Sequence, residues 1–312
     1  MLRSRAFIRT ITALAVAGAF FIALPQIVVR LEEVPHTLTP FPVSVDPKRE
    51  TIADHVPRSA EFVAAAVLAG TDAVRIVGSV IAESPLYAYV SPLPEPVSVR
   101  LVPGLRAEEV AERVASSLGW DRAERYAFLE EAVRREGRLY PSRYLFEKDA
   151  TPSEVLRVLD ARFNARMGAR YASSTEAIVP MQDALTIASL IEREAGNETE
   201  MRIISGVLWN RLFADQRLEI DATLSYARGS EKRWWPVPRP RDKFVQSPYN
   251  TYRHAGLPPG PIASPSIAAV YAALNPEVTN CYFYFHSKGS FYCSPTYAEH
   301  VAKLTELYGR GR

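Results

Sequence analysis

The chain is poor in the residues that metal and redox chemistry most often needs. Its two cysteines, Cys281 and Cys293, are too few for a disulfide framework or a thiolate metal cluster. There is no HExxH pair, no Gly-rich phosphate loop and no G-x-S-x-G elbow, so the commonest zinc-peptidase, nucleotide and serine-hydrolase signatures are missing. No cofactor and no metal are expected. An excess of one charge is also lacking: 37 Lys and Arg against 35 Asp and Glu leave a formal +2. The basic residues are scattered rather than striped among aromatics, so nucleic acid is not an expected partner. Glycine is scarce, 15 against 24 prolines, which suggests many stiff connections. At 47% hydrophobic and 23% charged residues, the composition is that of an ordinary folded chain. Its 312 residues allow two or three domains.

What the chain does have begins at Thr10. Residues 10–29 (TITALAVAGAFFIALPQIVV) carry no charge, a length that crosses a bilayer. Arg3, Arg5 and Arg9 precede the run, so the positive-inside rule puts residues 1–9 in the cytoplasm and everything after Arg30 outside. Ala17-Gly18-Ala19 has the form of a signal-peptidase site. Cleavage there would leave Phe20 to Val29 as a greasy terminus, and an uncleaved single-pass anchor is the preferred reading. Residues 30–40 read as a proline-broken linker. A small module follows at 41–96, with a strand-like run at Phe41 to Val45 and candidate helices at Glu50–Val56 and Ser59–Leu68. Val74 to Ile81 fits strand or helix equally. Its plainest reading is a spacer that lifts the rest off the membrane.

From Val97 the patterns sharpen. VSVRLV alternates as a strand, Pro103-Gly104 turns the chain, and Ala107–Leu118 is an amphipathic helix. Helices are expected again at Asp121–Glu136 and from Thr151 to about Met167, the latter with a good N-cap and Pro at its start. A polar connection at 168–182 divides an intermediate α/β region, 97–178, from a last domain, 179–312.

One helix in that last domain carries a chemical anomaly. In Asp183 to Ala195 (DALTIASLIEREA), a 100° step per residue puts Ala184, Ile187, Leu190, Ile191 and Ala195 on one face. Glu194 falls inside that face, while Glu192 and Arg193 point elsewhere. A carboxyl on the core side of a helix is costly unless neutral or partnered. In the last turn it also meets the negative end of the helix dipole. Both effects raise a carboxyl pKa, the requirement for a general acid near neutral pH. The structural alternative is an ion pair with a neighbour such as Arg211, which lies with Asn210 near the seam of the next helix, Glu200–Phe213.

Beyond that helix come LEIDATLSY (218–226) and a basic insertion, GSEKRWWPVPRPRDKFVQ (229–246). Trp234 and Trp235 in the insertion read as non-core, either an interaction or sugar-stacking surface or a capped loop. The proline-stiffened SPYNTYRHAGLPPGP (247–261) sets Tyr249 and Tyr252 beside Asn250 and Thr251, a set suited to carbohydrate. It is equally suited to satisfying its own backbone. Ser264-Pro265 caps a helix to Leu274. A hairpin, CYFYFH then FYCS around a Ser-Lys-Gly-Ser turn, ends the pattern. A cross-strand disulfide is compatible with an extracytoplasmic site, although a turn on Lys288-Gly289 pairs Cys281 a few residues beyond Cys293.

These motifs resemble the MltG (YceG-like) family of membrane-anchored endolytic murein transglycosylases. The matching runs are VRLVPGLRAEEVAERV (99–114), EGRLYPSRYLF (136–146), LTIASLIEREAG (185–196), LEIDATLSY (218–226) and SPYNTYRHAGLPPGPIASP (247–265). The terminal hairpin with Glu299-His300 matches more loosely. The resemblance implies an α+β fold: a transmembrane helix, a LysM-like module at 41–96 whose pattern is degenerate here, and a mixed catalytic domain. It implies cleavage of peptidoglycan glycan strands between N-acetylmuramic acid and N-acetylglucosamine, with 1,6-anhydro ends and Glu194 as the catalytic carboxyl. The candidate substrate-facing residues are Asn210, Asp221, Tyr226, Tyr249, Asn250, Thr251, Tyr252, Pro259 and Gly260. Peptidoglycan synthases are candidate partners. A muramidase pairing Glu194 with Asp221, and a non-catalytic wall-binding scaffold, are the competing expectations.

Overall fold

The computed structural model describes residues 2–30, 40–53 and 73–309; the expected helix at 59–68 lies outside them. Helix α1 (Leu2–Arg30) leads. A two-residue ribbon follows, β1 (Val45–Asp46) against β2 (Thr51–Ile52), so the described start of the expected helix at 50–56 is a turn and a strand. Residues Ala73–Ala82 form α2, which settles the ambiguity of that run. After α3 (Pro85–Val90), β3 (Val97–Arg100) pairs antiparallel with β4 (Arg143–Phe146), placing Val97 opposite Phe146. Helices α4 (Ala107–Leu118), α5 (Arg122–Val133) and α6 (Pro152–Arg166) complete this layer. Short α7 (Ser173–Ile178) leads to α8 (Met181–Glu194), α9 (Glu198–Phe213), α10 (Asp221–Arg228) and α11 (Ile267–Leu274). The hairpin β5 (Phe283–Ser287) with β6 (Ser290–Ser294), and α12 (Tyr297–Tyr308), close the described chain.

Local chemistry accounts for most of these boundaries. Asp121, Thr151, Asn197, Ser266 and Thr296 each cap a helix with a side-chain oxygen that accepts a backbone N–H of the first turn. The α11 cap is thus Ser266, two residues past the expected Ser264. Gly119 stops α4 in the left-handed conformation, φ 70°. The β5–β6 turn puts both Lys288 (φ 49°) and Gly289 (φ 78°) at positive φ, the two-residue turn that matches strand twist.

Two apolar clusters fill the body. One joins β3, β4, α4, α5 and the start of α6 around Val110, Phe128 and Leu159. The other surrounds α8, drawing on α9, α11 and the end of α6. Within α8 the residues from Ala184 to Ile191 are all buried, so the single apolar stripe read from sequence understates its burial. Gly206 lets α9 approach the 277–279 segment: a Cβ there would lie 2.2 Å from the Glu277 carbonyl oxygen. Phe41 and Val45 belong to the α8 cluster, and Ser44 N–H donates to the Leu274 carbonyl. Residues 41–53 are therefore part of the main body, and the described parts of 41–96 give no evidence of a distinct LysM-like module.

Candidate active site

The cleft is built where the C-terminal end of α8 meets the N-terminal end of α10. Glu194 is the last residue of α8, and at Ala195 the backbone turns extended. Its Oε1 accepts the Ala222 N–H of α10 at 3.3 Å, and its Oε2 accepts the Tyr284 hydroxyl at 3.3 Å. The residue keeps some solvent-facing surface, yet protein crowds the carboxyl. Burial above all pushes its pKa up to about 7, helped by the negative charge of Asp221; the Ala222 and Tyr284 donors and nearby His286 pull the other way. The negative end of the α8 dipole favours the same rise. In the fold the positive end of α10 also faces the carboxyl and opposes it.

Around Glu194 opens a cleft of about 1110 Å³. Its wall includes Asp221, Lys243, Tyr252, Tyr284 and His286. Tyr252 donates its hydroxyl to Asp221 Oδ1 at 2.7 Å, and the Lys243 ammonium sits 4.5 Å over the Tyr252 ring. His286 Nε2 lies 3.1 Å from Glu200 Oε2. Glu200 in turn accepts the Gly196 N–H at 2.8 Å and the Asn197 amide, which fixes the turn leaving α8. Among the described residues no group of three His, Cys, Asp or Glu has the arrangement of a metal site.

Of the candidate residues, the cleft gathers Glu194, Asp221 and Tyr252. The others lie elsewhere, each for a stated reason. Asn210 spends its amide on the carbonyls of Thr279 and Cys281. Asn250 is fully buried and donates to the carbonyls of Lys243 and Val245. Buried Thr251 accepts the Ile220 N–H and bonds the Thr223 hydroxyl. Asn250 and Thr251 hold the loops that carry Tyr252 and Asp221, Asn210 holds the segment leading into β5, and all three commit these side-chain groups to the scaffold. Gly260 packs beside Gln182 and Tyr249, and exposed Pro259 stands next to it, neither on the cleft wall.

Tyr226 and Tyr249 gather at the far end of α10. Their ring centroids are 4.8 Å apart, and the Arg106 guanidinium lies 4.1 Å over Tyr226. The Tyr226 hydroxyl reaches Glu136 Oε2 at 3.5 Å, and the same oxygen accepts the Ala107 N–H at 3.0 Å. Burial pushes Glu136 up to about 8. The insertion at 229–246 covers this second cluster. Trp234 and Trp235 donate to Glu112 and Glu109 of α4 at 3.1 and 2.8 Å, and Arg193 stacks 3.8 Å over Trp235. The tryptophans thus act as a clasp between the two layers and are half-buried.

Arg211 does not partner Glu194; it donates to the carbonyls of Tyr282, Arg217 and Leu218. Tyr284 and His286 were missed by sequence reasoning. Their signal is weak: polar groups at alternate positions of an aromatic hairpin. That hairpin is closed by a Cys281–Cys293 disulfide with a Cα separation of 5.7 Å. The ladder pairs Tyr284 with Cys293, but the chain bends at Tyr282, which bonds Ser294 and returns Cys281 to its partner.

The class is an α+β protein whose leading helix is long and apolar enough to cross a membrane and which sets a crowded carboxyl on the wall of a roomy cleft. The chain belongs to the YceG-like family, which matches residues 79–306. It is 34% identical over 175 residues to an endolytic murein transglycosylase of Bacillus subtilis, covering 55% of this chain and 48% of that one. It is 29% identical over 177 residues to an endolytic murein transglycosylase of Streptococcus pneumoniae serotype 2, covering 55% of this chain and 32% of that protein. The chain thus spans half or less of these relatives. The crystal structure of the yceG-like protein lmo1499 of Listeria monocytogenes superposes with a TM-score of 0.58 at 25% identity, over 73% of this chain and 81% of that one.

Proposed function

We propose that the chain is an endolytic lytic transglycosylase of peptidoglycan, with Glu194 as its only acid–base group. The observation that carries this reading is the Glu194 carboxyl itself: raised to about 7, held by Ala222 and Tyr284, and open to a cleft large enough for sugar rings. Protonated Glu194 gives its proton to the glycosidic oxygen, and the bond from that oxygen to C1 of the muramic sugar breaks. The departing sugar leaves as an alcohol, and positive charge at C1 is stabilised by the substrate's own N-acetyl oxygen. The Glu194 carboxylate then takes the proton of the C6 hydroxyl as O6 bonds to C1. The 1,6-anhydro ring closes without water, and Glu194 ends protonated for the next cycle.

Hydrolysis by two carboxylates is the competing chemistry. It draws on Asp221, which shares the cleft and is held by Tyr252. Digestion of purified glycan strands followed by mass spectrometry separates the two. Ends lacking one water per cut support the transglycosylase; ends carrying it would replace that reading with a muramidase. Retention of full cellular function by Glu194→Gln would instead favour a wall-binding scaffold. In the same proposal α1 is an uncleaved anchor with its N-terminus inside, the cleft faces the extracytoplasmic side, and nascent glycan strands and their synthases are its working partners. The division at about 96 and 178 into module, intermediate region and catalytic domain belongs to it as well.

A further inference from the structure

Helix α2 is inside out for a surface helix in water. Its buried face carries Arg75, Gly78 and Ser79, whereas Val74, Ile76, Val77 and Val80 are 42–57% exposed. The exposed apolar surface continues through α3 and the turn after it, in Leu86, Tyr89, Val90 and Leu93, with Tyr89 at 88%. Exposed apolar residues gathered on two consecutive helices of this kind mark an interaction surface. The opposite, buried side of α2, and Tyr87 of α3, pack against the last turns of α1. Val28 is 2.8 Å from where a Cβ on Gly78 would sit. The Tyr87 hydroxyl donates to the Ile22 carbonyl at 3.3 Å, and Gln26 donates to the Pro94 carbonyl at 2.7 Å. Leu24 and Val28 pack on Leu145 of β4.

Length then fixes the depth of these contacts. The apolar stretch of α1, Thr10–Arg30, has 21 residues, about 31 Å of helix, against a hydrocarbon core of about 30 Å. No turn is left over. If α1 spans the bilayer, the elements gripping its last turns lie at the level of the outer leaflet. Next to them runs a groove of about 480 Å³ lined by Arg75, Arg100 and Arg143 together with Tyr140 and Ser142, and no carboxylate is on its wall. Glu83 pairs with Arg143 at 2.7 Å from beside it.

We propose that α2, α3 and the arginine groove form a collar seated in the outer leaflet of the bilayer that α1 crosses, with the apolar residues among the lipid chains and the groove on a lipid headgroup phosphate. This rests on reading α1 as a membrane span. The arrangement combines an interfacial aromatic, an apolar face and basic groups at headgroup height, the three features by which proteins lie in a membrane interface. It also reverses the expected role of this region: the collar holds the body down on the membrane and does not lift it away.

The test uses the full chain reconstituted in vesicles of phosphatidylglycerol and phosphatidylcholine. A benzoylphenyl photo-crosslinker replaces Val80, Tyr89 or, as control, Tyr126, an exposed tyrosine of α5. The collar predicts strong acyl-chain labelling at positions 80 and 89 and only background at 126. Equal lipid labelling at all three, or crosslinks at 80 and 89 to polypeptide, would overturn it and assign the face to a protein. Carbonate extraction runs in parallel. Release into the supernatant removes the anchor and the collar together, whereas retention without lipid labelling removes the collar alone. Glycan digestion by the same sample reports separately on the proposed activity. For the groove, Arg100→Gln with Arg143→Gln is compared by native mass spectrometry of extracted protein. With each basic side chain worth roughly fivefold at an anionic surface, retained phosphatidylglycerol is expected to bind roughly 30-fold more weakly. Unchanged retention, or displacement of the lipid by millimolar inorganic phosphate, would remove the lipid assignment.

Discussion

Helix α10 separates two carboxyls that share one electrostatic signature. At its N-terminal end Glu194 is raised to about 7, and at its C-terminal end Glu136 is raised to about 8, burial being the main cause in both. Their surroundings differ. Glu194 faces a roomy cleft and is held by two donors at 3.3 Å. Glu136 is closed in by Tyr226 and the N-terminus of α4, with the Arg106 stack and the Trp clasp around them. A perturbed carboxyl nominates a site only when a substrate atom can reach it; otherwise it is the cost of joining two layers through a polar seam. The difference is one of access.

That contrast breaks most readily on the pair Glu194→Gln and Glu136→Gln. Loss of a general acid typically costs about 10²–10⁴-fold, so Glu194→Gln is expected to abolish glycan cleavage while remaining folded by circular dichroism. Glu136→Gln is expected to stay within a few-fold of wild type. Comparable losses in both would erase the distinction.

The pH profile sharpens it next. In the proposed mechanism catalysis begins from protonated Glu194, so kcat/KM is expected to fall about tenfold per unit above pH 7. One group that serves first as acid and then as base gives this single alkaline limb. A second carboxylate that must be ionised would add an acidic limb and a bell-shaped profile.

Stability provides a third test, in which the two carboxyls should behave alike. Each folded-state pKa lies above its unfolded value near 4.5, so the folded chain holds more protons through the window from about 4.5 to 7 or 8. Stability is therefore present in full below that window and falls as pH rises through it. Either Gln substitution removes the penalty. Both are expected to raise denaturant stability at pH 8 by roughly 1–3 kcal/mol relative to wild type, with little gain at pH 4; a loss at pH 8 in either variant would contradict the burial argument for that residue.

The smallest expected effect belongs to Tyr284→Phe. The Tyr284 hydroxyl lowers the Glu194 pKa, so its loss should move the alkaline limb upward by less than about one unit. A downward shift would mean that the hydroxyl does not donate to the carboxyl.

How much of this could be read from the chain depends on distance along it. Helical phase within α8 singled out Glu194 over Glu192, and the N-cap at Thr151 marked a helix start, because both signals lie within a turn or two. The partners of Glu194 lie 28 and 90 residues away, and nothing local reports them. The YNTY loop stayed open between two readings for a related reason. An Asn beside tyrosines has the same chemistry whether its amide meets a sugar or the Lys243 and Val245 carbonyls, and only the tertiary fold decides. The helix expected over Asp121–Glu136 stops at Val133, so Glu136 sits in the turn after α5 and helical phase says nothing of where it points.

The hairpin that brings Tyr284 to Glu194 also has a consequence for timing. A ribosome delivers chain from the N-terminus onward, and Tyr284 emerges 90 residues after Glu194. Until β5 and β6 arrive and Cys281 joins Cys293, one oxygen of the carboxyl lacks its donor and one wall of the cleft is missing. On the proposed reading of Glu194, the cleft is therefore incomplete until this late segment folds onto it.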